Sequence, residues 1–158
     1  MEIATVAAAI SAASAAVGLI DKIADEIERF ITKKPAPLVP KEHPVKIEKK
    51  GDSLVEFAHG KEVRRITPDD LRKLPEDQLQ HITVLERSMQ NHYRIWSKVY
   101  PELALMDSPV QKARVEAQLD EVIRGMRKDL LGILSFIESC GLYLDDHYMN
   151  IRELVKQV

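Results

Sequence analysis

Two interleaved series of apolar residues open the chain, each with a spacing of seven. Ile3, Ile10, Val17, Ala24 and Ile31 form one, and Val6, Ala13, Ile20 and Ile27 form the other. These are the a and d positions of a heptad pattern, and they predict one continuous helix over residues 2–32. Lys33 and Lys34 follow, where cations suit the negative end of a helix dipole. Pro35, Pro37, Pro40 and Pro44 then remove backbone donors and favour an extended path, so residues 33–44 read as a linker.

Beyond the linker the period drops to two. Val45, Ile47 and Lys49 alternate with Lys46, Glu48 and Lys50, and Gly51-Asp52-Ser53 supplies a turn. Leu54–Ala58 reads as a second strand, His59-Gly60 as a tight turn, and Glu62–Ile66 as a third strand. Three short strands cannot bury enough surface to stand alone, so this meander should pack on helices.

Helical spacing then returns. Thr67-Pro68-Asp69-Asp70 is an N-cap followed by a proline at the first helical position, and Leu74-Pro75-Glu76-Asp77 repeats the signal. Ile82, Leu85, Met89, His92, Trp96, Val99 and Leu103 make a stripe at alternating spacings of three and four, and Pro101 should end or kink that helix near Tyr100. A second long helix starts at Ser108-Pro109, carries the stripe Val115, Leu119, Val122, Met126, Leu130, Ile133 and Ile137, and closes at Cys140-Gly141. Asp145 or Asp146 caps a last helix with Tyr148, Ile151, Val155 and Val158 on one face. The expected fold is mainly α: a long N-terminal helix (1–32), the linker (33–44), and a body (45–158). That body combines a three-stranded antiparallel meander with a long antiparallel helical hairpin and a short C-terminal helix.

Composition changes this picture at one end. The chain of 158 residues is 45% hydrophobic but 5% aromatic, and eight of its first twenty residues are alanine. With 30% charged residues and a net charge of -2, nothing pulls it toward nucleic acid, and none is expected as a partner. Met1-Glu2 lacks the positive n-region of a secretory signal, and the lone Cys140 forms no disulfide framework; both point to the cytoplasm. A buried structural thiol is the expectation for Cys140.

Few motifs carry chemistry. There is no glycine-rich phosphate loop, HExxH or GxSxG, and no cofactor is expected. Glu138, Asp145, Asp146 and His147 contain ligand types. The aspartates, however, serve as a helix cap and first-turn acids, and Glu138 lies across the Gly141 break, so no metal is expected. The lysines and arginines of residues 46–73 are interleaved with acids, as on a solvated surface. Gly125 and Gly132, inside the second long helix, suggest close approach of another element, such as the Ala-rich helix.

Arg87 and His92 form an R-x4-H spacing that resembles the catalytic motif of the HEPN ribonucleases. That resemblance covers one motif and implies a dimeric, all-helical ribonuclease, with His92 as general acid or base and Arg87 stabilising phosphate charge. Position 88 is serine, where that family often has Asn, Asp or His. On its own residues, His92 lies in the apolar stripe and reads as a core or interface histidine.

The N-terminal helix is the informative element, because residues 3–20 carry no charge and their outer face is Ala and Ser. Such a helix suits burial in its own bundle, assembly with copies or a helical partner, or entry into a membrane from its inner face. In layout, though without a shared motif, it looks like the N-terminal segments of pore-forming or death-fold-type immune effectors. The functional expectation is a non-enzymatic interaction protein, a homo-oligomer or a docking partner. Ile3, Val6, Ile10, Ala13, Val17, Ile20, Ile27 and Ile31 are its assembly residues; a pore-type membrane effector and the ribonuclease are the alternatives.

Overall fold

A computed structural model describes residues 3–32, 45–142 and 146–156. The linker expected over 33–44 therefore lies outside the described residues, as do Asp145, Val158 and the side chain of His147. The chain runs through α1 (Ile3–Thr32), β1 (Val45–Lys50), β2 (Ser53–Ala58), β3 (Lys61–Ile66), α2 (Pro68–Leu71) and α3 (Glu76–Val99). A 3-10 turn over Tyr100–Leu105 then leads to α4 (Pro109–Ser139) and α5 (Asp146–Lys156). The mainly helical fold with a small sheet is as the periodicity predicts.

Local chemistry accounts for the boundaries. Thr67 caps α2 reciprocally: its hydroxyl accepts from the Asp70 backbone N–H, and the Asp70 carboxylate accepts from the Thr67 N–H at 2.9 Å. Pro101 cannot continue α3, and the chain tightens there into the 3-10 turn. Ser108 caps α4 by accepting from the Gln111 N–H, with Pro109 at the first helical position. The far end of α4 closes where Gly141 takes φ +92 and its N–H donates to the Glu138 carbonyl, while the Leu142 N–H donates to Ile137. Those two bonds satisfy carbonyls that the helix leaves orphaned.

The strands lie in the order β1-β2-β3, both pairs antiparallel. Lys50 faces Ser53 across the first turn, and Ala58 faces Lys61 across the second. The register slips at Glu56/Phe57 and leaves Val63 without an opposite number, a β-bulge on the edge strand.

One hydrophobic cluster runs through the described residues. From α1 come Val6, Ala9, Ile10, Ala13, Ala16, Val17, Ile20, Ile23, Ala24 and Ile27. The sheet adds Ile47, Leu54 and Ile66, and the hairpin adds Leu79, Ile82, Met89, Trp96, Leu119, Met126, Leu130 and Ile133. α5 closes it with Tyr148, Ile151 and Val155. The long N-terminal helix thus shares its core with the sheet, the helical hairpin and α5.

The two helical glycines do accommodate close packing, but from α3 rather than α1. A Cβ at Gly125 would come within 2.6 Å of the His92 ring, and one at Gly132 within 2.8 Å of a Leu85 methyl. Side chains are what approach, and the pairing of 85 with 132 and 92 with 125 shows α3 and α4 running antiparallel.

Candidate functional site

Val6, Ile10, Ala13, Val17, Ile20 and Ile27, the expected assembly residues, are all buried inside the chain against its own helices and sheet. The side chains of Ile3 and Ile31 lie outside the described residues. The surface that α1 offers to water between residues 5 and 20 is Ala7, Ala8, Ser11, Ala15 and Gly18, and Lys22 is the first exposed charge. Lys49 reaches across from β1 to donate to the Ser11 hydroxyl at 3.3 Å. The C-terminal third of α1 is held differently. The Trp96 indole N–H donates to the Glu26 carboxylate at 2.8 Å, Phe30 meets the Trp96 ring edge-on at 5.2 Å, and Tyr100 stacks on it at 4.7 Å. Arg29 pairs with Glu26 at 3.3 Å. By length and composition, α1 is apolar enough to cross a membrane over Thr5–Phe30, and 11 of those 26 residues are buried.

The structure brings His92 to a residue that the motif reading missed. Asp129 on α4 is 6% exposed, and one of its oxygens, Oδ2, lies 2.9 Å from both the Ser88 hydroxyl and His92 Nδ1. A carboxylate accepts, so Ser88 donates and Nδ1 carries a proton. The rest of the ring lies against Gly125. No ion pair or hydrogen bond joins Arg87 to His92 among the described residues. Arg87 points instead into a shallow depression with Val84, Ser88, Gln90, Asn91 and Arg94.

Ser, His and Asp stand together here, but their wiring is not that of a nucleophile relay. A relay needs serine on one ring nitrogen and the acid on the other. Here the Ser88 hydroxyl is bonded to the carboxylate directly and approaches the same nitrogen, Nδ1, at 3.4 Å. The cluster ties α3 to α4 and satisfies a buried charge. A signal for it was present in the sequence: Asp129 falls three after Met126 and four before Ile133, on a buried stripe, and Ser88 and His92 share a face at i, i+4.

Elsewhere, the chemistry-bearing residues have structural partners. Glu138 accepts from Arg152 at 3.3 Å, and Asp146 sits in the first turn of α5. Among the described residues, no three His, Cys, Asp or Glu side chains gather as a metal site requires. Burial pushes the Cys140 thiol up to about 12, which disfavours its nucleophilic form. Arg65 pairs with Glu62, Arg72 with Asp69, and Arg64 donates to the Gly141 carbonyl at 2.5 Å. A groove of about 470 Å³ lies between α1, the β1–β2 turn and α2; Val6, Ala7 and Ile10 line it together with Lys49, Asp52, Asp69 and Arg72. No protein-family model matches the chain, and neither the curated proteins nor the solved structures searched yield a match.

Proposed function

We propose that this chain is a non-enzymatic interaction protein of the cytoplasm that docks a helix of a second copy on the outward face of α1. The observation supporting this reading is the water-facing surface Ala7, Ala8, Ser11, Ala15 and Gly18, which has no charged residue of its own and no side chain larger than serine, with Lys49 reaching Ser11 from β1. A surface helix ordinarily sets charged residues there. Small residues let a second helix come to the short end of the packing range, an interaxial distance of about 8 Å. Val6, Ile10, Ala13, Val17, Ile20, Ala24 and Ile27 are buried inside the chain, so the docking surface is the opposite face, which they hold rigid. The test is the solution mass by light scattering of the full chain and of its Ser11→Glu/Ala15→Glu variant, both checked by circular dichroism. A multiple of one chain that falls to a monomer in the variant is expected; a monomeric wild type across micromolar concentrations overturns self-docking.

Membrane entry by α1 is the second reading, favoured by the apolar length of Thr5–Phe30. It expects the full chain to float with liposomes, and sedimentation of all the protein away from them ends it.

A further inference from the structure

A stripe of exposed residues runs along the C-terminal two-thirds of α3, and the exposed Glu76, Asp77 and Gln80 continue it toward the start of the helix. Val84, Arg87, Asn91, Arg94, Ile95 and Lys98 are spaced 3, 4, 3, 1 and 3 apart, which keeps them on one side of the helix. Two of them are apolar and open to water, Val84 at 60% and Ile95 at 39%. Val84, Arg87, Asn91 and Arg94 line the same shallow depression of about 650 Å³. The cations between and beyond the apolar residues meet no carboxylate among the described residues. Arg94 donates to the Asn91 amide oxygen at 2.7 Å, whereas Arg65, Arg72 and Arg152 on other elements each pair with an acid. Glu86 lies on the same helix and accepts from Gln90.

We propose that this face of α3 docks an acidic amphipathic helix of a partner protein. The partner's carboxylates meet Arg87, Arg94 and Lys98, and its apolar residues cover Val84 and Ile95. Eleven residues separate the two apolar positions, about 16 Å or three helical turns. A partner helix laid alongside supplies anchors at that same repeat. Charge complementarity selects an acidic partner, and the two apolar ends select a peptide over a nucleic-acid strand, whose phosphates have nothing to cover Val84. The chain's net charge of -2 adds no general pull toward nucleic acid. This surface is separate from the α1 face, and the proposal stands without self-docking.

The probe is a dye-labelled 15-residue peptide of Glu and Leu at helical spacing, titrated with the full chain and followed by fluorescence anisotropy. A Lys/Leu peptide and a 15-nucleotide single-stranded RNA serve as comparisons. Binding of the Glu/Leu peptide is expected, with at least a tenfold loss in Arg87→Glu/Arg94→Glu and a smaller loss in Val84→Asp. All three side chains are exposed, so unchanged circular dichroism is expected for both variants. No binding of the acidic peptide, equal binding by the charge-reversed chain, or tighter binding of the RNA than of the peptide each overturns the proposal.

Discussion

Gly125 is glycine because the His92 ring occupies the space its side chain would fill. Two effects compete when alanine is placed there: helix propensity gains up to about 1 kcal/mol, and the displaced ring releases the partly shielded Asp129 carboxylate, which costs about 1–3 kcal/mol. Gly125→Ala should therefore destabilise the chain in urea unfolding, whereas in a His92→Ala background the same change should be neutral or stabilising. A double-mutant cycle showing no coupling between the two sites would mean that the ring does not hold the carboxylate. At Cys140, a thiol whose pKa is pushed up by burial stays protonated. Alkylation at pH 8 should be slow in the native chain and fast in urea. The sign of its linkage follows. The unfolded thiol loses its proton near its ordinary value of about 8.5 while the folded one keeps it, so this group's contribution to stability falls as pH rises from there toward about 12.

At the scale of elements, most boundaries were legible and most neighbours were not. Helix was expected over 2–32 and is found over Ile3–Thr32; strands expected at 54–58 and 62–66 each begin one residue earlier. Thr67-Pro68, Ser108-Pro109 and Cys140-Gly141 mark helix ends because caps are local chemistry, decided within a few residues. A heptad records only that a face is apolar. It does not say whether α3, a second copy or lipid covers Ile10 and Ile20, since all three satisfy the same pattern. Asp129 was passed over for a related reason: it stands in a stripe whose other members are apolar, and its partners Ser88 and His92 lie 41 and 37 residues away. The cap at Thr67 carries its own prediction. The backbone N–H of Thr67 holds the Asp70 carboxyl below the usual carboxylate range, helped by the threonine hydroxyl. Its contribution to stability is therefore present above about pH 4, the ordinary value, and is lost as pH falls through the lowered one. Asp70→Asn should flatten that part of the acid-unfolding curve; an identical acid limb in the variant would show that the cap contributes nothing.

For the whole molecule, the consequence of a shared core is cooperativity. Ile10, Ile20, Ile23 and Ile27 are fully buried, and together they contribute on the order of 10 kcal/mol against a total stability of about 5–15 kcal/mol for an ordinary domain. A chain starting at Lys41 should thus lose its fold, and Trp96 fluorescence and far-ultraviolet dichroism of the full chain should change together in urea. Separate midpoints would show α1 to be an independent unit. Timing on the ribosome follows from the same packing. α1 is finished at Thr32, but the α3 residues that cover it end at Val99. At 5–20 residues per second, that delay is roughly 3–13 s, during which a helix bearing Ile10, Ile20 and Ile27 has no lid. The nascent chain therefore passes through a sticky interval in every round of synthesis, and the cell must shorten it or shield it.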